Sequence, residues 1–136
     1  MADRVSSRIR SYIMSTVRTR DTGPELLLRR LLHAKGYRYT LNVKKLPGRP
    51  DLVFVRRRKI VFVHGCFWHG HLCRWGKLPK TKLSYWAPKI ESNRTRDERN
   101  LRALVKLGWR SKVVWQCQLR NAEKTVDRVI SFLEKP

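Results

Sequence analysis

Acidic side chains are what this chain lacks most. Its 136 residues carry 32 Lys and Arg against 10 Asp and Glu, a formal charge of +22. A balance that basic rules out acidic, solvating and anion-repelling roles, and it suits a polyanionic partner whose counterions are released on binding. Long apolar runs are absent too. Nothing approaches the roughly 18 consecutive apolar residues of a membrane span, and Met1-Ala2-Asp3-Arg4 has no apolar signal region. No basic amphipathic helix gathers the charge, so a membrane surface fits less well than nucleic acid. The three cysteines are an odd number, which argues against a secreted disulfide framework and for a reduced, cytosolic protein. Repeats, low-complexity tracts and linkers are missing, so the length implies one compact domain with a single sizeable core.

The rarity of acids makes the few that exist informative. Between Glu25 and Glu91 the only one is Asp51, in Pro47-Gly48-Arg49-Pro50-Asp51, at the mouth of the apolar run Leu52–Val55. An unpaired charge there is costly without a cation or a hydrogen-bond partner. A hard cation such as Mg²⁺ takes one or two carboxylates plus water and phosphate, and the Val63 carbonyl on the next strand would add an oxygen. The alternative is an Asp capping its own Pro-Gly-Arg-Pro turn. Shortly after comes His64-Gly65-Cys66-Phe67-Trp68-His69-Gly70-His71-Leu72-Cys73. Cys66, His71, Cys73 and Cys117 suffice for tetrahedral Zn²⁺, although spacing alone leaves His64, His69 and His71 in competition for the imidazole position. Whichever histidines remain are suited to move protons near neutral pH. Phe67, Trp68, Trp75, Tyr85 and Trp86 either form a satellite core or stack on bases. Met14 reads as core packing, Glu25 as a helix cap, and the basic turn Arg56–Lys59 as solvated or phosphate-facing surface.

Periodicity predicts the order α-α-β-β-β-α-β-α. A short helix spans 6–17. A second starts at the capping box Thr22-Gly23-Pro24-Glu25 and stops at Gly36. Strands follow at Tyr37–Val43, Leu52–Val55 and Ile60–Val63, the last two a buried hairpin. A helix over about 89–107 packs Leu101, Leu104, Val105 and Leu107 inward, Trp109–Trp115 is a fourth strand, and Asn121 caps a final helix. Such an order implies an α/β domain with a central mixed sheet flanked by helices.

At these residues the chain resembles the very-short-patch repair (Vsr) mismatch endonucleases of bacteria. The resemblance rests on Met14, Arg20-Asp21-Thr22 with Glu25, Leu46 through Asp51, Phe62 through His69, His71, Cys73, Trp86, Lys89-Ile90, Asn93, Leu107 through Arg110, Val114-Trp115 and Cys117. It implies a single-domain restriction-endonuclease-like fold at 21–136 with a structural zinc site, preceded by a DNA-contacting arm or helix at 1–20. It implies Mg²⁺-dependent nicking of one DNA strand beside a T:G mismatch. Asp51 and the Val63 carbonyl would hold Mg²⁺, His69 would act as general base, and His64 and Glu25 would organise waters. Cys66, His71, Cys73 and Cys117 would hold Zn²⁺. Phe67, Trp68, Trp86 and Met14 would intercalate, and Lys89 and Asn93 would read bases. The implied partners are T:G-mismatched duplex DNA and other mismatch-repair proteins, the implied state a monomer, and the implied place the bacterial cytoplasm, on the nucleoid. Three positions depart from the family pattern: Val63 stands where a familiar member has Thr, and Gly70 and Leu72 interrupt a run that can be all His. The rivals are a restriction-type endonuclease of the same fold without mismatch preference, and a non-catalytic zinc-stabilised DNA-binding module.

Overall fold

A computed structural model describes residues 23–136, apart from the Trp75 side chain. The expected helix over 6–17, the arm at 1–20, Met14 and Thr22 lie outside the described residues. The rest forms three layers. Helix α1 (Gly23–Ala34) turns Glu25, Leu28 and Leu32 inward at helical spacing. It stops where the sequence predicts: Gly36 is left-handed at φ +91, and the Tyr37 N–H reaches back to the Leu32 carbonyl at 3.0 Å, closing a Schellman-type end.

The sheet runs β1 (Thr40–Leu41), β2 (Leu52–Phe54), β3 (Lys59–His64), β4 (Arg110–Trp115) in spatial order. The first two pairings are antiparallel, and β3 and β4 are parallel. A parallel pair needs a long crossover, supplied by helix α2 (Leu83–Lys106). Side chains alternate across each strand. Leu52, Phe54, Val61 and Val114 therefore join Leu28, Leu32, Val126, Val129 and Leu133 under α1 and the last helix, α3 (Ala122–Glu134). Val53, Ile60 and Phe62 join Leu104 and Trp109 under α2. Both faces are covered, which is why β2 and β3 are continuous apolar runs rather than alternating ones. Among the described residues no helix is long and apolar enough to cross a membrane.

Four expectations need correction. The strand expected at Tyr37–Val43 shrinks to two residues, because Asn42 turns left-handed at φ +47. Helix α2 begins at Leu83, before the expected 89, and takes in Pro88 in its second turn. Val105 and Leu107 are 67% and 53% exposed, while Leu104 is buried; one position at about 100° per residue carries Val105 off the inner face. The basic turn does not simply face solvent. Lys59 is 3% exposed, and its Nζ donates to the carbonyls of Phe132 at 2.7 Å, Leu133 at 3.1 Å and Lys135. Arg57 also donates to Leu133 O at 3.1 Å, and Arg58 to Leu107 O at 3.0 Å while lying over the Trp109 ring. These cations close the C-terminal ends of α3 and α2, where carbonyls are left over and the helix dipole is negative.

Candidate active site

Asp51 enters β2 with its carboxylate turned toward the neighbouring strand, where Oδ2 accepts the Val63 N–H at 2.7 Å. That bond goes across the sheet rather than into the Pro-Gly-Arg-Pro turn. In an extended strand the N–H and C=O of one residue point to the same side, so the Val63 carbonyl opens beside Asp51, just past the end of β2. Glu25, 2% exposed, comes in from the first turn of α1, hydrogen-bonds Asp51 and pairs with Arg29. Burial pushes the Asp51 carboxyl up to about 8, Glu25 adds to the rise, and the Val63 N–H and Arg29 oppose it. Two carboxyl groups and a backbone carbonyl share one buried corner beside Arg29. That oxygen set fits a hard divalent cation.

Facing Asp51 across a cleft of about 550 Å³ are His64, His69 and Asp97, with Asn42, Arg96 and Asn100 also on the wall. His64 ends β3 and His69 lies in the following loop, yet their rings stack 3.9 Å apart and within 5° of parallel. His69 Nδ1 lies 2.6 Å from Asp97 Oδ2. With the Nδ1 proton directed at that carboxylate, Nε2 keeps its lone pair for the cleft. Burial and the adjacent His69 hold the His64 imidazole down at about 4, against Asp97, so it is neutral near pH 7. Asp97 is the residue that sequence reading missed. Its signal was there: it shares the inner face of α2 with Leu101 and Leu104 at i, i+4 and i+7.

The four expected zinc ligands converge. The donor atoms of Cys66, His71, Cys73 and Cys117 all lie within 4.8 Å of one another. Cys117 Sγ is 3.5 Å from His71 Nδ1, and the Cys117 N–H points at Cys66 Sγ at 3.3 Å. Cys117 does not have to reach far. Parallel β3 and β4 end at the same rim, so residues 66 and 117 emerge side by side. Without a cation, burial pushes the Cys66 thiol up to about 12, the Cys117 and Cys73 side chains adding to the rise. Three sulfurs and one imidazole gathered this closely could hold a metal ion. The same set assigns His71 to the cluster and leaves His64 and His69 on the cleft. Gly70 lets the loop close in: at φ +65, a Cβ there would come within 2.8 Å of Ile90 and 2.6 Å of Arg94 on α2.

Residues 2–75 match the family model for the DNA mismatch endonuclease Vsr. The chain belongs to the Vsr family. It is 53% identical over 134 residues to the type II nicking enzyme V.XorIIP of Xanthomonas oryzae pv. oryzae, covering 98% of each. It is 42% identical over 131 residues to the DNA mismatch endonuclease Vsr of Escherichia coli, covering 96% of this chain and 84% of that protein. With the type II nicking enzyme V.NmeAIP of Neisseria meningitidis it shares 40% identity over 121 residues, 89% and 86% of the two chains. The mixed sheet with its parallel β3–β4 pair is the expected restriction-endonuclease-like architecture of this Vsr-family endonuclease.

Phe67, Trp68 and Trp86 pack on one another. Phe67 meets Trp68 and Trp86 edge to face at 5.2 Å each, and Trp68 meets Trp86 at 5.9 Å. Trp86 is 6% exposed, and its indole N–H has no partner among the described residues. Asn93, expected to read bases, donates from Nδ2 to Trp68 O at 2.9 Å and accepts from Arg96. Lys89 lies over the Tyr85 ring at 6.0 Å. In this state the aromatics form a satellite core, and Asn93 ties their loop to α2.

Proposed function

We propose that this Vsr-family endonuclease nicks one strand of duplex DNA beside a T:G mismatch by Mg²⁺-dependent phosphodiester hydrolysis. The observation that carries the reading is the meeting of Asp51 and the Val63 backbone across one cleft from the His69–Asp97 pair. Mg²⁺ held by Asp51 and the Val63 carbonyl would polarise a phosphate oxygen and ease ionisation of a water. His69 Nε2 takes a proton from the attacking water as its oxygen bonds to phosphorus, and the bond from phosphorus to the leaving oxygen of that strand breaks, that oxygen keeping the electron pair and taking a proton from solvent water. Asp97 is a positioning residue that fixes the His69 tautomer and ring orientation through its contact with Nδ1 at 2.6 Å. Neutral His64 holds the His69 ring face, and Glu25 orients water from the far side of Asp51.

Cys66, His71, Cys73 and Cys117 would hold Zn²⁺, which would brace the loop that carries His69. DNA binding would open the aromatic cluster. Phe67, Trp68 and Trp86 then wedge into the stack, with Met14 entering from the arm at 1–20, and a T:G pair is the cheap place to unstack. Lys89, and Asn93 once freed from Trp68, read neighbouring bases from the major groove. The enzyme acts as a monomer on DNA in the bacterial cytoplasm and hands its nick to other repair proteins.

A second reading is favoured by the names of two of the relatives, which are type II nicking enzymes. In that reading the chain nicks a fixed sequence without mismatch preference. End-labelled duplexes carrying each mismatch, with and without Mg²⁺, decide between them. T:G duplexes are expected to be nicked far faster than matched ones, with Asp51→Asn inactive. Equal rates on both would select the second reading. No nicking by the intact protein would leave only a zinc-stabilised binding module.

A further inference from the structure

His64, His69 and Asp97 each bring a donor atom within 4.8 Å of the other two. They come from different elements (the end of β3, the following loop and the middle of α2), so the fold itself assembles the set. Two imidazoles and one carboxylate are poor partners for Mg²⁺, which prefers oxygen and keeps its waters. They are good partners for Zn²⁺, Ni²⁺, Co²⁺ or Cu²⁺, and two His with one carboxylate and open positions is a recurrent way to hold such a cation.

We propose that His64, His69 and Asp97 form a second, exchangeable transition-metal site, separate from the cysteine-rich cluster, and that Zn²⁺ or a similar cation bound there inhibits nicking. The inhibitory half rests on the proposed function; the binding half does not. Tetrahedral zinc with bonds of about 2.0–2.1 Å sets its donors roughly 3.3 Å apart, so the present spread closes by a movement of about 1.5 Å at most. The stacked rings must tilt so that their nitrogens converge. The cation then replaces the proton shared by His69 Nδ1 and Asp97 Oδ2, now 2.6 Å apart. The cleft, about 550 Å³, has room for water or an anion at the remaining positions. A cation there pins the imidazole that the proposed chemistry needs free. It does so without competing for Asp51, so added Mg²⁺ does not relieve the inhibition and a chelator does.

The test uses the full chain with its cysteine cluster already filled with zinc, titrated with Co²⁺ and followed by absorption. Thiolate ligands give an intense sulfur-to-cobalt band, whereas the histidine site gives weak ligand-field bands alone. One further equivalent with the second signature is expected, weakened at least about tenfold in Asp97→Asn and in His64→Gln. Zinc content and thermal melting check that each variant is folded. Nicking at fixed Mg²⁺ should fall in step with occupancy by added Zn²⁺ and return on mild chelation. Absence of the further equivalent, or its survival in both variants, overturns the site. Full nicking at full occupancy overturns the inhibition. A protein that never nicks defeats the proposed function instead, and the Co²⁺ titration still decides the site.

Discussion

A carboxyl group with a proton it should have lost is an awkward thing to bury. Asp51 ordinarily titrates at 3.8, and in the fold it is pushed up to about 8. Between those two pH values the folded protein keeps a proton that the unfolded chain has released, so stability falls as pH rises through the window. The expected outcome is a melting temperature that declines from pH 5 to pH 8 without Mg²⁺. Asp51→Asn should flatten that decline, and Mg²⁺ at pH 8 should recover it in the parent protein alone. Identical pH slopes for parent and variant would refute this account of Asp51. Asp51 was legible in the sequence because it stands alone among cations, and the cysteines because their cluster is dense. Asp97 was not, since its partner His69 is 28 residues away and pairing at that distance depends on where the loop folds back. Even so, its place on the inner face of α2 could have been counted.

Elements reveal themselves to sequence reading when one signal dominates. The hairpin of β2 and β3 follows from two short apolar runs, and α3 from Asn121, whose Oδ1 does accept the Lys124 N–H at 3.3 Å. The start of α2 was lost because a lysine-rich stretch and Pro88 both read as loop. The turn at Arg56–Lys59 was misread for a different reason: a run of cations looks like solvent or phosphate contact until the carbonyls at the end of another helix are known. Lys59 is the decisive member, since three carbonyls at the end of α3 converge on its ammonium. Lys59→Met should lower stability by about 2–3 kcal/mol in urea denaturation and leave DNA affinity nearly unchanged. A variant that keeps its stability but binds DNA more weakly would restore the phosphate-facing expectation.

On the scale of the whole molecule, charge and architecture work together. A formal +22 predicts steep salt dependence: binding to a matched duplex should weaken by about 10³–10⁵ between 50 and 200 mM salt if 6–10 phosphates are contacted. Preference for T:G over matched DNA should widen over the same range as the sequence-blind attraction fades. A filter-binding series with a flat salt profile would contradict this. The layered fold was visible from element order, whereas the shared rim of β3 and β4 was not, because only strand direction puts residues 66 and 117 side by side. That rim has a safety consequence. His69 falls in the chain between Cys66 and His71, so on the reading above its blade is set only when the neighbouring clasp has been fastened. On that reading, a newly made copy still waiting for its ion would cling to duplex DNA through charge, yet would carry no working edge with which to cut it.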